Sequence, residues 1–583
     1  MIRANGSQII VKLLEMEGVK TVAGIPGGSI LPLYDELNHS SIKHVLVRQE
    51  QAAGFIAQGM SRTTGVPAVC MATSGPGAMN LLTAIADARC DSVPLVAFTG
   101  QVNTSLIGTD AFQEADTFGL SFPITKHSIM VKSPKELLTA VPLAFSIAVS
   151  GRPGPVLIDV PRDVQTSFIE FEEWPCIASV SEDKHSALAN RYTTPKDNLP
   201  GIVSKIADTL LDSDKTVLYL GGGCNSQEAE SVIKEFMDIY DTAVVTSLMG
   251  IGAVKKSCPN NFGMVGMHGS YAANRAMHDA KVVFALGVRF DDRATGVISR
   301  FCPEAKIIHI DIDAAEINKI LPAYHSLVCD VESAVPLVTH SVKQKLNSAN
   351  KDALKNRKEW IKELSGIFKQ TESLELGRYD DVPESSVNPR LFIHEIPLKA
   401  KEVGLNESDI IVTTDVGQHQ MWTAQYYPVE HARQLLTSGS LGTMGFGLPA
   451  ALGAALAAPD KRVICISGDG SILMNIQELA TLSEQNLNVT VIMFQNGTLG
   501  MVRQQQEYLF NKNYSASIFQ KVPDYVQIAK GFGIDAFDAT LDKDWYKKAF
   551  TPGPHFIRVN IALHENVLPF VKAGSANIDA IRN

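Results

Sequence analysis

Cysteine, long apolar runs and excess positive charge are what this sequence has least of. Its eight cysteines, at 70, 90, 176, 224, 258, 302, 329 and 465, are scattered among mostly apolar neighbours and form no CxxC pair. That pattern predicts reduced core thiols and argues against a disulfide framework or a zinc site. The net charge of −10, with 20% charged residues, argues against a non-specific nucleic-acid or anionic-membrane surface. No apolar run reaches membrane-spanning length. Met1 to Gly6 leads directly into an amphipathic helical pattern, without a signal-peptide core or an Arg/Ser-rich transit segment. The expectation is a cytoplasmic protein with neither nucleic acid nor membrane as a partner.

What is present is enough chain for several cores: 583 residues predict about three to four domains. The first third alternates strands with helices. Strands are expected at Thr21 to Ile25, His44 to Arg48, Val66 to Thr73 and Pro94 to Thr99, with helices at Ala52 to Met60 and Leu81 to Ala88. This is a doubly wound parallel sheet by pattern, and Glu50 falls just past the end of its second strand. A polar stretch near Phe171 to Pro200 reads as a linker. A second α/β unit follows, with Gly221-Gly222-Gly223 after the strand Thr216 to Leu220, and Asp311 and Asp330 at later strand ends. Glycine turns and strand-end acids build dinucleotide sites, although Gly-Gly-Gly-Cys-Asn-Ser is not GxGxxG and taken alone fits a tight turn better. From about Gln344 to Ser386 the chain is Lys/Glu-rich and predicts a charged helix and an exposed connector. The expected division is therefore 1–180, 190–345, a linker over 346–386, and 387–583, all α/β with parallel sheets.

The last third carries the most chemistry. Val463 to Ser467 and Val489 to Phe494 are apolar runs of strand length, and the segment between them has helical spacing through Leu473, Ile476, Leu479 and Leu482. A βαβ crossover makes its strands parallel, so Asp469 and Asn496 emerge at one carboxyl edge beside Gly468, Gly470 and a helix start. One carboxylate and one amide oxygen suit Mg²⁺, which completes its octahedron with water and phosphate oxygens. Either residue alone would read as a cap or a turn. Together they predict a seat for a magnesium diphosphate.

The Gly-Asp-Gly…Asn stretch, with a strand-end glutamate in a separate α/β domain, resembles the thiamine diphosphate decarboxylases and carboligases. Arg48-Gln49-Glu50-Gln51, Ala72 to Ala78, Thr99-Gly100-Gln101, Ile107 to Glu114, Gly151 to Pro155, Arg289 to Arg293 and Gly442 to Pro449 narrow this to the catalytic subunit of acetohydroxyacid synthase (acetolactate synthase). The likeness runs from about residue 7 to 575, and Gly27 to Pro32 with Gln504-Gln505-Gln506 is most similar to the bacterial isozyme I form.

The resemblance implies three domains, binding the thiamine pyrimidine, FAD and the diphosphate with Mg²⁺, in chain order. It implies that Glu50 hydrogen-bonds the aminopyrimidine and promotes its imino tautomer. Asp469, Asn496 and the carbonyl of Thr498 would hold Mg²⁺. Val416, Gly417, Gln418, His419, Gly442, Gly468, Gly470, Ser471, Leu499, Gly500 and Met501 would line the thiamine diphosphate, with Met444 as an apolar wedge beneath its thiazolium. Phe112 and Gln113 would line the reacting pocket beside Gly28. Arg152, Gly221, Gly222, Met267, His268, Arg289, Asp291, Arg293, Asp311, Ile312, Asp330 and Val331 would hold FAD. The implied reaction decarboxylates pyruvate and condenses the hydroxyethyl carbanion with a second pyruvate or with 2-ketobutyrate, the first common step toward valine, leucine and isoleucine. The cofactor would lie between two subunits, giving a homodimer or homotetramer, with a small regulatory subunit. Gln49, Arg162 and Gln505 depart from the usual His, Lys and Trp, and Gln505 predicts a less discriminating acceptor pocket. Two other readings remain: a flavin-dependent pyruvate oxidase, and a non-catalytic paralogue of the same fold.

Overall fold

A computed structural model describes residues 1–177, 199–377, 383 and 385–582. Much of the stretch read as a linker near Phe171 to Pro200, and 378–382 and 384 of the second connector, lie outside the described residues. Three six-stranded parallel sheets follow one another along the chain. In the first, the order across the sheet is Lys43–Leu46, Thr21–Gly24, Ala68–Ala72, Leu95–Gln101, Pro155–Pro161, His127–Met130. The third runs Leu435–Leu436, Ile410–Thr414, Arg462–Gly468, Val489–Gln495, His555–Asn560, Asp535–Asp538. Numbered by appearance, both are wired 2-1-3-4-6-5. The central sheet runs Asn261–Met264, Ala243–Thr246, Thr216–Leu220, Val282–Leu286, Lys306–Asp311, His325–Val328, the 3-2-1-4-5-6 order of dinucleotide-binding folds. Their inner strands are almost wholly buried, as parallel strands covered by helices on both faces must be, while edge strands such as Lys43–Leu46 and Asp535–Asp538 are half-exposed.

The two like-wired sheets also meet through equivalent helices. Glu50–Thr64 and Gly447–Ala457 each follow the second strand of their sheet, and they pack together in one core through Ala52, Ala53, Ile56, Ala57, Leu448, Ala451 and Leu452. Small residues let the backbones approach. A Cβ on Gly59 would lie 2.9 Å from the Ala450 carbonyl carbon, and one on Gly453 would lie 2.8 Å from that of Ile56. Glycine at both positions is a steric requirement of the crossing.

Two expectations need correction. The helical run after Asp469 is two pieces, Asp469–Ile472 and Glu478–Gln485, because Asn475 turns its amide to the Gly445 carbonyl at 2.8 Å; Leu473, expected on the apolar face, is exposed. The charged helix Lys351–Leu376 is not simply an exposed connector: Trp360, Ile361 and Leu364 are buried in the core of the central domain. Five cysteines are buried, but Cys176 is exposed. Among the described residues no helix is long and apolar enough to cross a membrane, and no group of three or more His, Cys, Asp and Glu is placed to hold a metal.

Candidate functional site

Strand order reverses in the third sheet between Ile410–Thr414 and Arg462–Gly468, and ligands of open α/β sheets bind at the carboxyl side of such a point. The next residues of these strands and their neighbour are Asp415 to His419, Asp469 to Ser471 and Asn496 to Thr498. Asp469 is buried and its Oδ2 accepts the Gly497 N–H at 2.6 Å and the Asn496 N–H at 3.2 Å. Desolvation pushes its carboxyl up to about 6 against those two bonds. The Tyr525 hydroxyl donates to the Asp469 carbonyl at 2.8 Å and fixes the backbone from below. Asn496 Oδ1 lies 3.0 Å from Thr498 Oγ1, and its Nδ2 donates to Gln418 Oε1 at 3.3 Å.

This donor set fits a magnesium diphosphate on two further observations. His419 is buried, with Nε2 lacking any hydrogen-bond partner, and burial lowers its pKa to about 3, leaving a neutral imidazole at the seat. There is open space at Gly442, where a Cβ would meet nothing nearer than Val416 Cγ1 at 3.9 Å, whereas a Cβ on Gly468 or Gly470 would lie 2.8 Å from His419 Nδ1 or 2.7 Å from Leu499 Cδ2. The expected positive helix end is supplied differently than the spacing suggested. Asp469–Ile472 is a single turn, whereas the longer helices Gln418–Tyr426 and Gly500–Leu509 begin at the same edge.

Met444 is half-buried on the loop between Leu435–Leu436 and Gly447–Ala457. Three aspartates hold that loop. Asp87 accepts the Ser438 hydroxyl and, at 2.7 Å, the Thr443 hydroxyl; Asp91 accepts the Gly439 and Ser440 N–H groups, both at 2.9 Å. Asp415 accepts the Gly445 N–H at 2.8 Å. Arg62 lies 2.9 Å from Asp91 and 3.6 Å from Asp87, so the buried acids have a cation. Asp87 is raised, by desolvation first and by Asp91 second.

In the first domain, Glu50 opens the helix Glu50–Thr64, and its Oε2 accepts the Asn80 amide at 2.9 Å. Gln49, before it, has a buried Oε1 without a partner. Gly28 is exposed in open space. Gln113 has φ +58° and crowds Gly75, whose Cβ would lie 2.7 Å from the Gln113 carbonyl oxygen. The Glu114 carboxylate ties the loop by accepting the Gly108 and Ala111 N–H groups. Gln101, held by the buried Asp159 at 3.0 Å, donates to the Ala115 carbonyl at 2.8 Å. Phe112, on this well-tied loop, is 88% exposed. Among the described residues no hydrogen bond joins Glu50 to Asp469, Asn496 or Thr498.

The expected flavin residues gather at the carboxyl edge of the central sheet and its seam with the other domains. Asp311 ends its strand buried, with its carboxyl lifted to about 6 by desolvation, and accepts the Asp313 N–H at 2.8 Å; Ile312 follows it. Asp330 caps the helix Val331–Lys345 through Ser333 N–H at 2.7 Å. Asp291 caps Asp292–Thr295 through the Arg293 and Ala294 N–H groups. Met267 and His268 lie against the C-terminal segment, with Val571 N–H on the Met267 carbonyl at 2.9 Å and the imidazole stacked on Phe570. The set fits a dinucleotide in strand order and strand-end acids, but its basic and glycine members also serve the protein. Arg152 bridges to Glu316 at 2.7 Å and Asp313 at 3.2 Å, and Arg289 donates to the Cys90 carbonyl and the Ser440 hydroxyl. A Cβ on Gly221 would lie 2.6 Å from the Gly287 carbonyl carbon, and one on Gly222 would lie 3.2 Å from Met249 Cβ. Packing demands glycine at 221, whereas at 222 the Met249 side chain would have to give by only a few tenths of an ångström.

Residue reading passed over Asp87, Asp91, Asp415, Glu478, Gln504 and Tyr525. Only Asp415 left a signal, since it follows its strand as Asp469 follows the next one.

Three family patterns match in chain order: the thiamine pyrophosphate enzyme N-terminal TPP binding domain over 4–120, the central domain over 203–337, and the C-terminal TPP binding domain over 415–559. The chain is 44% identical to the acetolactate synthase isozyme 1 large subunit of Escherichia coli (strain K12), across 99% of this chain and 98% of that one. Identity to the isozyme 2 large subunit of the same organism is 40%, across 99% of each. A probable acetolactate synthase large subunit of Methanocaldococcus jannaschii is 42% identical across 93% of this chain and 88% of its own.

Proposed function

The chain belongs to the acetolactate synthase large-subunit family of thiamine diphosphate enzymes, and we propose that it joins two pyruvates to 2-acetolactate, or pyruvate and 2-ketobutyrate to 2-aceto-2-hydroxybutyrate. The carrying observation is the convergence of Asp469, Asn496 and the unpartnered His419 Nε2 at one sheet edge. Asp469, Asn496 and the Thr498 carbonyl would hold Mg²⁺, while Gln418, His419, Gly470 and Ser471 would receive the diphosphate. Thiamine diphosphate, when bound, supplies the electron sink that lets a 2-keto acid lose CO₂ and attach its remaining carbons to a second one.

Glu50 would hold a proton at its carboxyl oxygen against the aminopyrimidine. Met444 would support the cofactor's bend, and Phe112, Gln113 and Gly28 would exclude water from the reacting face. Arg152, Arg289, Asp311 and Asp330 would hold FAD with the remaining central-domain residues. We assign pyrimidine binding to 1–180, flavin binding to 190–345 and diphosphate binding to 387–583. We take a homodimer as the minimum unit, a reading supported by the exposure of Phe112 on its loop. The relatives' designation as large subunits supports a small regulatory partner, and we place the enzyme in the cytoplasm. Product analysis after feeding pyruvate with and without 2-ketobutyrate, with thiamine diphosphate, Mg²⁺ and FAD, tests the reading. Acetohydroxy acids without net flavin reduction are expected; rapid anaerobic flavin reduction by pyruvate would overturn it in favour of an oxidase.

A further inference from the structure

The segment that delivers Glu50 is held from the other outer domain. Arg48 and Gln49 connect the strand Lys43–Leu46 to the helix that Glu50 opens. Glu478, first residue of Glu478–Gln485 in the third domain, is wholly buried, and its Oε1 accepts the Arg48 N–H at 2.9 Å. Its Oε2 accepts the Thr481 hydroxyl at 2.6 Å. On the other side of Glu50, Gln51 Oε1 accepts the Asn475 amide at 3.3 Å. The same Asn475 amide holds the Gly445 carbonyl, next to Met444.

A glutamate in a first helical turn is ordinarily explained by the helix dipole. That does not account for this one, which is removed from water and spends one oxygen on a main-chain donor 430 positions away. An N–H clamp fixes backbone, so it sets where the next side chain begins. We propose that Glu478 is a positioning residue for Glu50: by gripping the Arg48 N–H it fixes the backbone leading into the helix and aims the Glu50 carboxylate at the aminopyrimidine. The inference rests on the role given to Glu50 above.

The test measures hydrogen–deuterium exchange at thiamine C2 in the holoenzyme, by acid quench and NMR at saturating thiamine diphosphate, beside kcat, KM for pyruvate and thermal stability. Misplacement by about 1 Å costs up to ~10²-fold, so Glu478→Ala is expected to slow exchange and kcat by about 10- to 100-fold with KM within about threefold. Glu478→Gln, which keeps an acceptor oxygen for Arg48, is expected to stay within about threefold of wild type. Glu478→Asp, too short to reach, should behave like Glu478→Ala and replaces it if that variant does not fold. Glu484→Ala removes the exposed ion pair to the Arg48 side chain, which contributes little, and should leave exchange unchanged. Exchange at the wild-type rate in both Glu478→Ala and Glu478→Asp would overturn the proposal, as would equal slowing by Glu484→Ala. Glu50→Gln separates the two claims: fast exchange in it refutes the role of Glu50 itself, whereas slow exchange there with fast exchange in the Glu478 variants refutes only the clamp.

Discussion

Adding one methyl group at Gly453 tests whether the seam between the outer domains sets the active geometry. A Cβ there would stand 2.8 Å from the Ile56 carbonyl carbon and 3.0 Å from Gly59 Cα, with the Ile56 oxygen nearer still. Non-bonded carbon contacts run at about 3.5 Å and the Ile56 oxygen would stand only 2.0 Å from the new Cβ, so Gly453→Ala must part the two helices by more than about 1 Å. Overpacking of this kind costs ~1–3 kcal/mol. Alanine returns about 1 kcal/mol of helix propensity, so the net loss of stability is on the order of 0–2 kcal/mol. Catalysis should suffer more, because Glu50 opens one of these helices and the Met444 loop leads into the other. A fall in kcat of about tenfold or more is expected, with KM little changed. The control is Gly366→Ala, in the helix Lys351–Leu376 with open space around it, which should gain stability and keep activity. Steady-state kinetics and thermal melts of both variants decide the matter; wild-type kcat in Gly453→Ala would refute the reasoning.

Three other outcomes follow from the geometry. Burial raises Asp159 to about 7 in the folded protein, above its usual unfolded value of about 3.9, so its protonated form is favoured by folding. Its contribution is full below pH ~4 and is lost as pH rises to about 7; the stability of Asp159→Asn relative to wild type should therefore climb across that window in denaturant titrations, and a flat difference would contradict the assignment. Asp469→Asn removes the charged oxygen of the seat and should weaken Mg²⁺-dependent retention of thiamine diphosphate by about tenfold or more while flavin absorbance is kept, read after dialysis against chelator; unchanged magnesium dependence would remove Asp469 from the site. Gln505, exposed on Gly500–Leu509, predicts nearly equal use of pyruvate and 2-ketobutyrate as acceptors in competition, and Gln505→Trp should shift the choice toward 2-ketobutyrate by about tenfold; a strong wild-type preference for 2-ketobutyrate would refute this.

The convergence of Asp469 and Asn496 was legible because it is local: a βαβ unit obliges them to share an edge, whatever surrounds them. Strands that were read fell within a residue or two, as at Thr216–Leu220, but His127–Met130, Pro155–Pro161, Asn261–Met264, Asp535–Asp538 and His555–Asn560 were not read. What holds the site together was not legible. Asp87 meets Ser438 across 351 positions and Glu478 meets Arg48 across 430, and no periodicity encodes such pairs. The apolar spacing after Asp469 also misled, because a helix and a turn stapled by Asn475 can present Leu479 and Leu482 to the same core. The glycines after Thr216–Leu220 gave a true turn whose crowding belongs to Gly287.

The shared 2-1-3-4-6-5 wiring of the outer sheets has a consequence for descent. The helices Glu50–Thr64 and Gly447–Ala457 hold the same post in their sheets and touch reciprocally, Gly59 on Ala450 and Gly453 on Ile56. Such self-complementary contact is how two identical subunits meet about a twofold axis. The interior of this chain is thus laid out like a dimer of one ancestral unit fused end to end. In one half an acid, Glu50, heads that helix; in the other a thioether, Met444, stands three residues ahead of it.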